Sequence, residues 1–570
     1  LRAAIAAAGS GDSIVFAPSV HLIRLTSGEL GITTSLNIDG PGPGQLTISG
    51  NNTSRVFAVS PGTTVTLAGL TVANGMAASG GGIDNAGNLT VAYCTVSNNE
   101  SLGGPGGGGI LNEVGATLVL DHAVVSHNQA ITSVGSDVLG GGLWNLGSAV
   151  VANSTFAGDQ ALGGGSGTFY GGSVGGAIAS SHGARLSVSS SRFTDNEAIS
   201  AAGPYFASGG AVESDAGVNN DQPSFAVITY STFTNNLVAG GDGVTGNGGG
   251  IDNQGPGVTM TVSNCTLAGN ESIGGNNGNG TNAFGEGLGG GMMNLFGTLT
   301  VSNCTLVNNQ ALGGNGGTAG LTNPPTGSGQ GGGIVNLEGT LWADDCTLSG
   351  NRAVGGNTAA GSGGIGDAGG IANWGAGLGG GLPGTAYLTD CTVTGNEAVA
   401  GSGGSSFPAA FAVGGGIDNS FSGIMYVTHC TVSNNQAVGS NGAAGANGGL
   451  GEGGGIEVGF SVLLGLVDNS VLQVTTSTIR ANTAQGGGGG AGGNGGDGLG
   501  GGLAISAGSS ATVSDSTVEN NLALGGAAGS GGSAGHGVGG GVHNDGTFMF
   551  DALTLIKKNH ASTSNDDIFP

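Results

Sequence analysis

Apolar and polar residues alternate along this chain in short bursts, and each burst breaks phase once. In Leu299-Thr300-Val301-Ser302-Asn303-Cys304-Thr305-Leu306, the apolar positions are 299, 301, 304 and 306. Strict alternation on each side of the break predicts two strands. All four apolar side chains point inward only if the chain bends between Val301 and Cys304. Asn303 is the natural corner, because Asn tolerates the left-handed conformation that a tight turn needs. Asn153, Asn264, Asp345 and Asp390 fill the same place. A second bend falls near Asn309, with Asn99, Asn196, Asn236, Asn270, Asn351, Asn396 and Asn435 in register.

A glycine cluster, one apolar residue, a variable residue and often Asn make a third short strand, as in Gly80-Gly81-Gly82-Ile83-Asp84-Asn85. Its closing residue recurs at Asn85, Asn112, Asn145, Ser180, Ser214, Asn253, Asn294, Asn336, Asn373, Asn419, Val458, Ile505 and Asn544. The gaps run from 27 (112 − 85) to 47 (505 − 458) residues. A period in this range means stacked units, each too small to bury its own apolar side. The chain therefore reads as an all-β protein, a right-handed parallel β-helix of about fifteen turns with three short strands and three corners per turn. Stacked Asn side chains are expected to hydrogen-bond from turn to turn. The ladder positions are Asn85, Asn112, Asn145, Asn253, Asn294, Asn336, Asn373 and Asn419, with Asn264 and Asn303 at the corner. All large insertions emerge on one edge, and long spacers such as Gly486–Gly498 are expected to be mobile.

Cysteine usage follows the same repeat. Cys94, Cys265, Cys304, Cys346, Cys391 and Cys430 share one slot, just before Thr-Val or Thr-Leu. Other repeats put Ala123, Ser154, Ser191, Ser231, Ser477, Ser516 and Ala552 there. A slot shared by Cys, Ser and Ala is small and faces inward, so a reduced thiol column is expected rather than a disulfide framework. Disulfides between neighbouring turns are the alternative.

Composition narrows the picture. Gly accounts for 131 of 570 residues without a Gly-X-Y period, which excludes collagen. Lys and Arg number 9 against 35 Asp and Glu, a net charge of −26. That argues against nucleic acid or anionic membrane as a partner, since both are bound through clustered basic residues. No apolar run approaches the ~20 residues needed to span a bilayer. The first residues, Leu1 to Ala8, form an amphipathic stretch without a visible signal peptide, and a processed or incomplete start is expected.

Two segments carry a family resemblance. The start runs Leu1-Arg2-Ala3-Ala4-Ile5 through Gly11-Asp12-Ser13-Ile14-Val15-Phe16, then Leu36-Asn37-Ile38-Asp39-Gly40-Pro41-Gly42. It resembles the N-terminal module of large exported bacterial β-helix proteins, some related to polymorphic outer-membrane proteins and adhesins. The end, Ala561-Ser562-Thr563-Ser564-Asn565-Asp566-Asp567-Ile568-Phe569, is similar to their closing segment. The resemblance implies an opening helix that caps the apolar end of the solenoid through Ile5. It also implies secretion to the bacterial surface or beyond, and a structural or adhesive role. Residues 1–75 are then the cap and first turns, 76–560 the Gly-rich repeats, and 561–570 the closing segment.

Many right-handed β-helices cleave polysaccharides, so catalytic groups bear on the reading. A glycosidase needs two carboxyls on one cleft, and a pectate-type lyase needs carboxylate-bound Ca²⁺ and a base. Asp84, Asp252 and Asp418 share a slot but lie turns apart, and so do most of Glu100, Glu197, Glu271 and Glu397. Arg192 with Asp195 and Glu197 is the best acid–base cluster. Trp144, Trp342 and Trp374 occupy no common slot, as a stacked sugar platform would require. Gly492 to Leu499 matches one calcium nonapeptide, which points to Asp497 as a Ca²⁺ ligand. The favoured function is non-enzymatic: an extracellular structural or adhesive solenoid that binds itself, surface glycans or receptors. The alternative is a secreted polysaccharide lyase or glycoside hydrolase.

Overall fold

The computed structural model describes residues 1–132, 137–163, 172–201, 206–216, 222–277, 284–316, 327–359, 361–375, 381–404, 409–460 and 468–570. The fold is a right-handed parallel β-helix divided into two compact units. The first comprises Leu1–Val238 and Gly250–Cys265, and the second Ala239–Gly249 and Thr266–Pro570. Each turn contributes a strand to three sheets. In one turn of the second unit these are Met292–Leu295 in sheet 3, Thr298–Ser302 in sheet 1 and Thr305–Val307 in sheet 2. Among the described residues the first unit holds nine, eight and eight strands of sheets 1, 2 and 3, and the second holds seven, eight and eight. Strands of these three sheets pair in parallel, as with Leu299 on Leu341 and Val301 on Ala343.

The inward positions make the core. Leu299, Val301, Cys304 and Leu306 are all buried. In the first unit Phe156, Phe193 and Phe233 stack on successive turns, with ring centroids 5.1 and 4.7 Å apart. The corner between sheets 1 and 2 has positive φ in every repeat named above, 51° at Asn153 and Asn303, 54° at Asn264, 49° at Asp345 and 52° at Asp390. Asn264 and Asn303 are exposed there. They serve the backbone turn and stand outside the buried ladders, because a left-handed corner turns its side chain toward solvent.

Two buried amide ladders run along the wall. One joins the sheet 3 corners: Asn85 donates to Asn112 and Asn112 to Asn145, both at 2.8 Å. In the second unit the corresponding chain runs Asn294, Asn336, Asn373, Asn419, with steps of 2.6, 2.7 and 2.7 Å. Asn253 is buried at the same corner. The longer ladder follows sheet 2. In the second unit it runs Asn270, Asn309, Asn351, Asn396, Asn435, Asn482, Asn521, Asn559, each amide within 3.0 Å of the next. It ends on the Asp567 carboxylate of the last segment, at 2.9 Å. Each Asn also donates to a carbonyl, as Asn351 does to Leu306 O at 3.0 Å.

A fourth set of strand pairings lies on the spacers. Short strands flank each one, such as Gln310–Leu312 before and Gly329–Gln330 after. Three spacers of the second unit, Gly439–Gly451, Gly486–Gly498 and Gly525–Gly537, are ordered by hydrogen bonds at every third residue. The amides of Gly442, Gly445 and Gly448 donate to the carbonyls of Gly488, Ala491 and Asn494. Those of Gly489, Gly492 and Gly495 donate to Ala527, Ser530 and Ser533. Each spacer also turns back on itself, with Gly493 donating to the Gly490 carbonyl at 2.7 Å and Gly496 to that of Gly487 at 2.8 Å. Glycine is required where neighbouring spacers touch: a Cβ on Gly490 would lie 1.8 Å from the Ala443 carbonyl oxygen. Gly486–Gly498 is therefore held in a hydrogen-bonded lattice, contrary to the mobility expected of a glycine run.

At the start, helix Arg2–Ala7 buries Ile5. Arg2 anchors it by donating to the carbonyls of Gly28 and Glu29, each at 2.6 Å.

Two substitutions test this account. Asn351→Ala removes one rung and leaves buried donors of Asn309 unpaired, at a cost of about 3 kcal/mol. Asn303→Ala at the exposed corner costs about 1 kcal/mol of left-handed strain. Native-state hydrogen exchange of Thr347–Ser349 is expected to rank them in that order. Gly490→Ala is expected to raise exchange across residues 486–498 by about tenfold or more, with strand Thr478–Arg480 unaffected.

Candidate functional site

Carboxyls that the linear sequence scatters meet in the structure. In sheet 3 the residue before the corner points outward but is covered by the inner spacer strand, so this slot lies in a second packed layer. In the second unit Asp418 faces Glu457 on the next turn. From the spacer side come Asp367 and Glu452, which pair with Val413 from the turns on its two sides. All four are 3% exposed or less. Asp367 and Asp418 lie close enough for each carboxyl to act directly on the other. Trp374 Nε1 donates to Asp418 Oδ2 at 2.7 Å, and Ser420 Oγ to Oδ1 at 2.6 Å. Apolar groups seal the layer: Ile365, Phe411 and Val413 with Leu450 and Phe460, and Met293, Val335 and Ala372 with Trp374.

Burial sets the protonation of these acids. It pushes Asp418 up to about 7, against the Ser420 and Trp374 hydrogen bonds. Burial, reinforced by the charges of Asp545 and Asp418, pushes Glu452 up to about 8. Asp367 and Glu457 are held well above the ordinary carboxyl range by burial and by neighbouring acids. Glu286, which accepts from Gln330 Nε2 at 3.3 Å, is raised to about 8 by burial. The first unit repeats the theme with Glu213 beside Asp252, the latter raised to about 8 by burial and by Asp215. Asp159 sits in the sheet 2 amide ladder between Asn128 and Asn196, fully buried and raised to about 8. An Asn there would donate to a carbonyl; Asp159 Oδ2 has no partner. Sequence reading missed these meetings because the partners differ in type, Glu on one turn and Asp on the next.

The other expected sites are placed as follows. All six cysteines are buried, and none of them is in a disulfide. In the second unit Cys304, Cys346, Cys391 and Cys430 adjoin one another, and Cys430 N–H donates to Ser477 Oγ at 2.9 Å. Cys265, at the end of the first unit, accepts from Ser231 N–H at 3.4 Å. Burial raises the Cys94 thiol to about 11, so the thiolate is absent near neutrality. Arg192 is not brought to Glu197, which instead accepts from Gln160 Nε2 at 2.7 Å, while Asp195 accepts from Thr194 Oγ1 at 3.1 Å. Asp497 Oδ1 accepts the His536 amide at 2.6 Å and lies 3.3 Å from its imidazole. One carboxylate and one imidazole do not supply the six to eight oxygens that Ca²⁺ takes. Among the described residues no group of three or more His, Cys, Asp or Glu could hold a metal. In the structure the Asp497 carboxylate caps the next spacer through these contacts.

Aromatics on the outer side of sheet 1 do form a row, through half-buried tyrosines. Trp342, Tyr387 and Tyr426 stack on successive turns of sheet 1, with centroids 3.9 and 5.0 Å apart and planes within 9°. Their faces cover one another, so the row shows solvent its edges and its two end faces.

No family model and no curated protein matches this chain. Solved structures similar to it include a mannuronic acid specific polysaccharide family 6 lyase from human gut microbiota, at 11% identity and a TM-score of 0.29. That match covers 72% of this chain and 85% of the other. The PL6 family alginate lyase AlyGC and a mutant form of it are similar at 10% identity and a TM-score of 0.18, covering 100% of this chain and 98% of theirs. At these scores the likeness says nothing of activity. Among the described residues no helix is long and apolar enough to cross a membrane.

The buried acid of the first unit gives a prediction with a definite sign. A carboxyl raised by folding leaves stability intact below its unfolded value near 4 and loses it as pH rises through about 8. Asp159→Asn removes that loss and restores the missing donor. Thermal unfolding is expected to show the variant more stable at pH 7, by on the order of 4 kcal/mol. The gain is expected to vanish near pH 3.

Proposed function

We propose that this chain is a non-catalytic structural or adhesive solenoid, exported to the bacterial surface or the extracellular matrix. The observation that supports this best is the placement of its acids. Those that converge across turns are buried beneath the spacers, whereas polysaccharide cleavage needs carboxyls within reach of a sugar ring. The charge of −26 disfavours a polyanionic glycan as substrate. Continuous amide ladders and glycine lattices suit a part whose work is to stay rigid and resist proteolysis. Its partners on this reading are further copies of itself, or glycans and receptors met by the spacer edge.

A second reading, a secreted polysaccharide lyase or hydrolase, is favoured by the Trp342–Tyr387–Tyr426 row. An outward-facing aromatic stack that begins at the exposed Trp342 offers sugars that ring's free face.

Both readings answer to one experiment. The purified chain is imaged by electron microscopy across ionic strength, with and without chelator, and incubated with neutral and uronate polysaccharides. Rods or filaments, with assembly favoured by salt or divalent cations, and no new reducing ends or unsaturated uronates are the expected result. Release of either product would overturn the non-catalytic reading.

A further inference from the structure

The acids of the second unit are unusual in what surrounds them. The charges that bear most on Asp367, Asp418, Glu452 and Glu457 are other carboxyls: one another, Asp468 and Asp545. Asp468 is already committed, accepting the amides of Phe421, Ser422, Phe460 and Ser470 at 2.7–3.0 Å. His543, further along the same slot, is held toward its neutral form by burial. Glu286 and Gln330 extend the acid line on the spacer side. Oxygens Asp367 Oδ1 and Glu457 Oε2 are buried without a hydrogen-bond partner. Asp367 and Glu452 belong to the inner spacer strands Gly366–Asp367 and Gly451–Glu452, while Asp418 and Glu457 belong to the sheet beneath. Acids of the spacer strands therefore meet acids of the sheet across the seam.

We propose that this seam is a proton-dependent lock, closed while its carboxyls are protonated and released as they ionise, so that the spacers lift from the outer face of sheet 3. The geometry makes the coupling direct. Ionising Asp367 and Asp418 puts neighbouring like charges within a buried, apolar layer. Solvation then requires the short spacer strands to part from the sheet, because the sheet itself is pinned by its amide ladder. The sign follows: folding raises these carboxyls, so docking is complete in acid and fails as pH climbs through about 7 to 8.

Trp374 reports on the seam through its bond to Asp418. In a Trp144→Phe, Trp342→Phe background of the full chain, its emission is followed from about pH 5 to about pH 9. Hydrogen exchange, corrected for the intrinsic effect of pH, is followed in strands Gly366–Asp367, Ala412–Val413 and Gly451–Glu452. The expected result is a red shift of Trp374 and about tenfold or greater exchange of these strands toward high pH. Strand Thr385–Thr389 of sheet 1 is expected to stay protected. Asp367→Asn, Asp418→Asn and Glu457→Gln together keep the shapes and are expected to abolish the response. An unchanged emission and protection over the range, or the same response in the triple variant, would overturn the lock. Restoration of docking at high pH by added calcium would also overturn it, showing a cation site in place of a proton one.

Discussion

Everything in this molecule depends on satisfying the polar backbone at corners that stack directly over one another. A parallel coil pairs its strands with the turns on either side, but each bend leaves inward amides and carbonyls that no strand can reach. An unpaired buried group costs about 1–3 kcal/mol, and the penalty would repeat on every turn. Asn answers it at sheet 2 by accepting a backbone amide and a side-chain amide from one turn and donating to a carbonyl and the next rung. Because the side chain is its own complement, one residue type suffices for any number of turns. The ladder also fixes register, since a slip by one residue would bury a different side chain at every corner.

The glycine spacers are the second consequence of the same stacking. A turn-to-turn rise of about 4.8 Å leaves no room for side chains between backbones that run side by side. Where spacers match in length, every third residue faces a neighbouring chain and must lack a Cβ. That condition turns a composition typical of disorder into an ordered layer. The layer then covers the outer face of sheet 3, and this is why ionisable residues there are buried although they sit on the outside of the coil.

The coil itself was legible in the sequence because its signals are local. Alternation, the corner Asn and the glycine cluster all fall within a dozen residues. The inward slot of Cys304 and its equivalents could be read from its exchange with Ser and Ala. The spacer lattice was hidden in plain composition: its period of three appears only when Gly439–Gly451, Gly486–Gly498 and Gly525–Gly537 are aligned by length. The acids were less legible still. Asp418 and Glu457 are 39 residues apart and differ in type, and Asp367 reaches them from another strand. A search for repeated residue types passes over a pair whose only common property is charge. The aromatic row escaped for the same reason, since Trp342 continues as Tyr387 and Tyr426.

Buried carboxyls without basic partners are costly at neutral pH, and a purely structural coil has no need of them. The same slot holds Met293, Val335 and Ala372 on neighbouring turns, where apolar packing serves without penalty. Asp159 is a single lapse in an otherwise uniform ladder and can be a tolerated substitution. The line from Asp367 to Glu457 is different, because four buried acids on three turns do not arise from one exchange. Stability and position then pull in opposite directions: the amide ladder makes the wall indifferent to pH, while the acids make the cover sensitive to it. A coil built this way keeps its frame under any condition that keeps its amides paired, and confines its response to the layer that meets the outside.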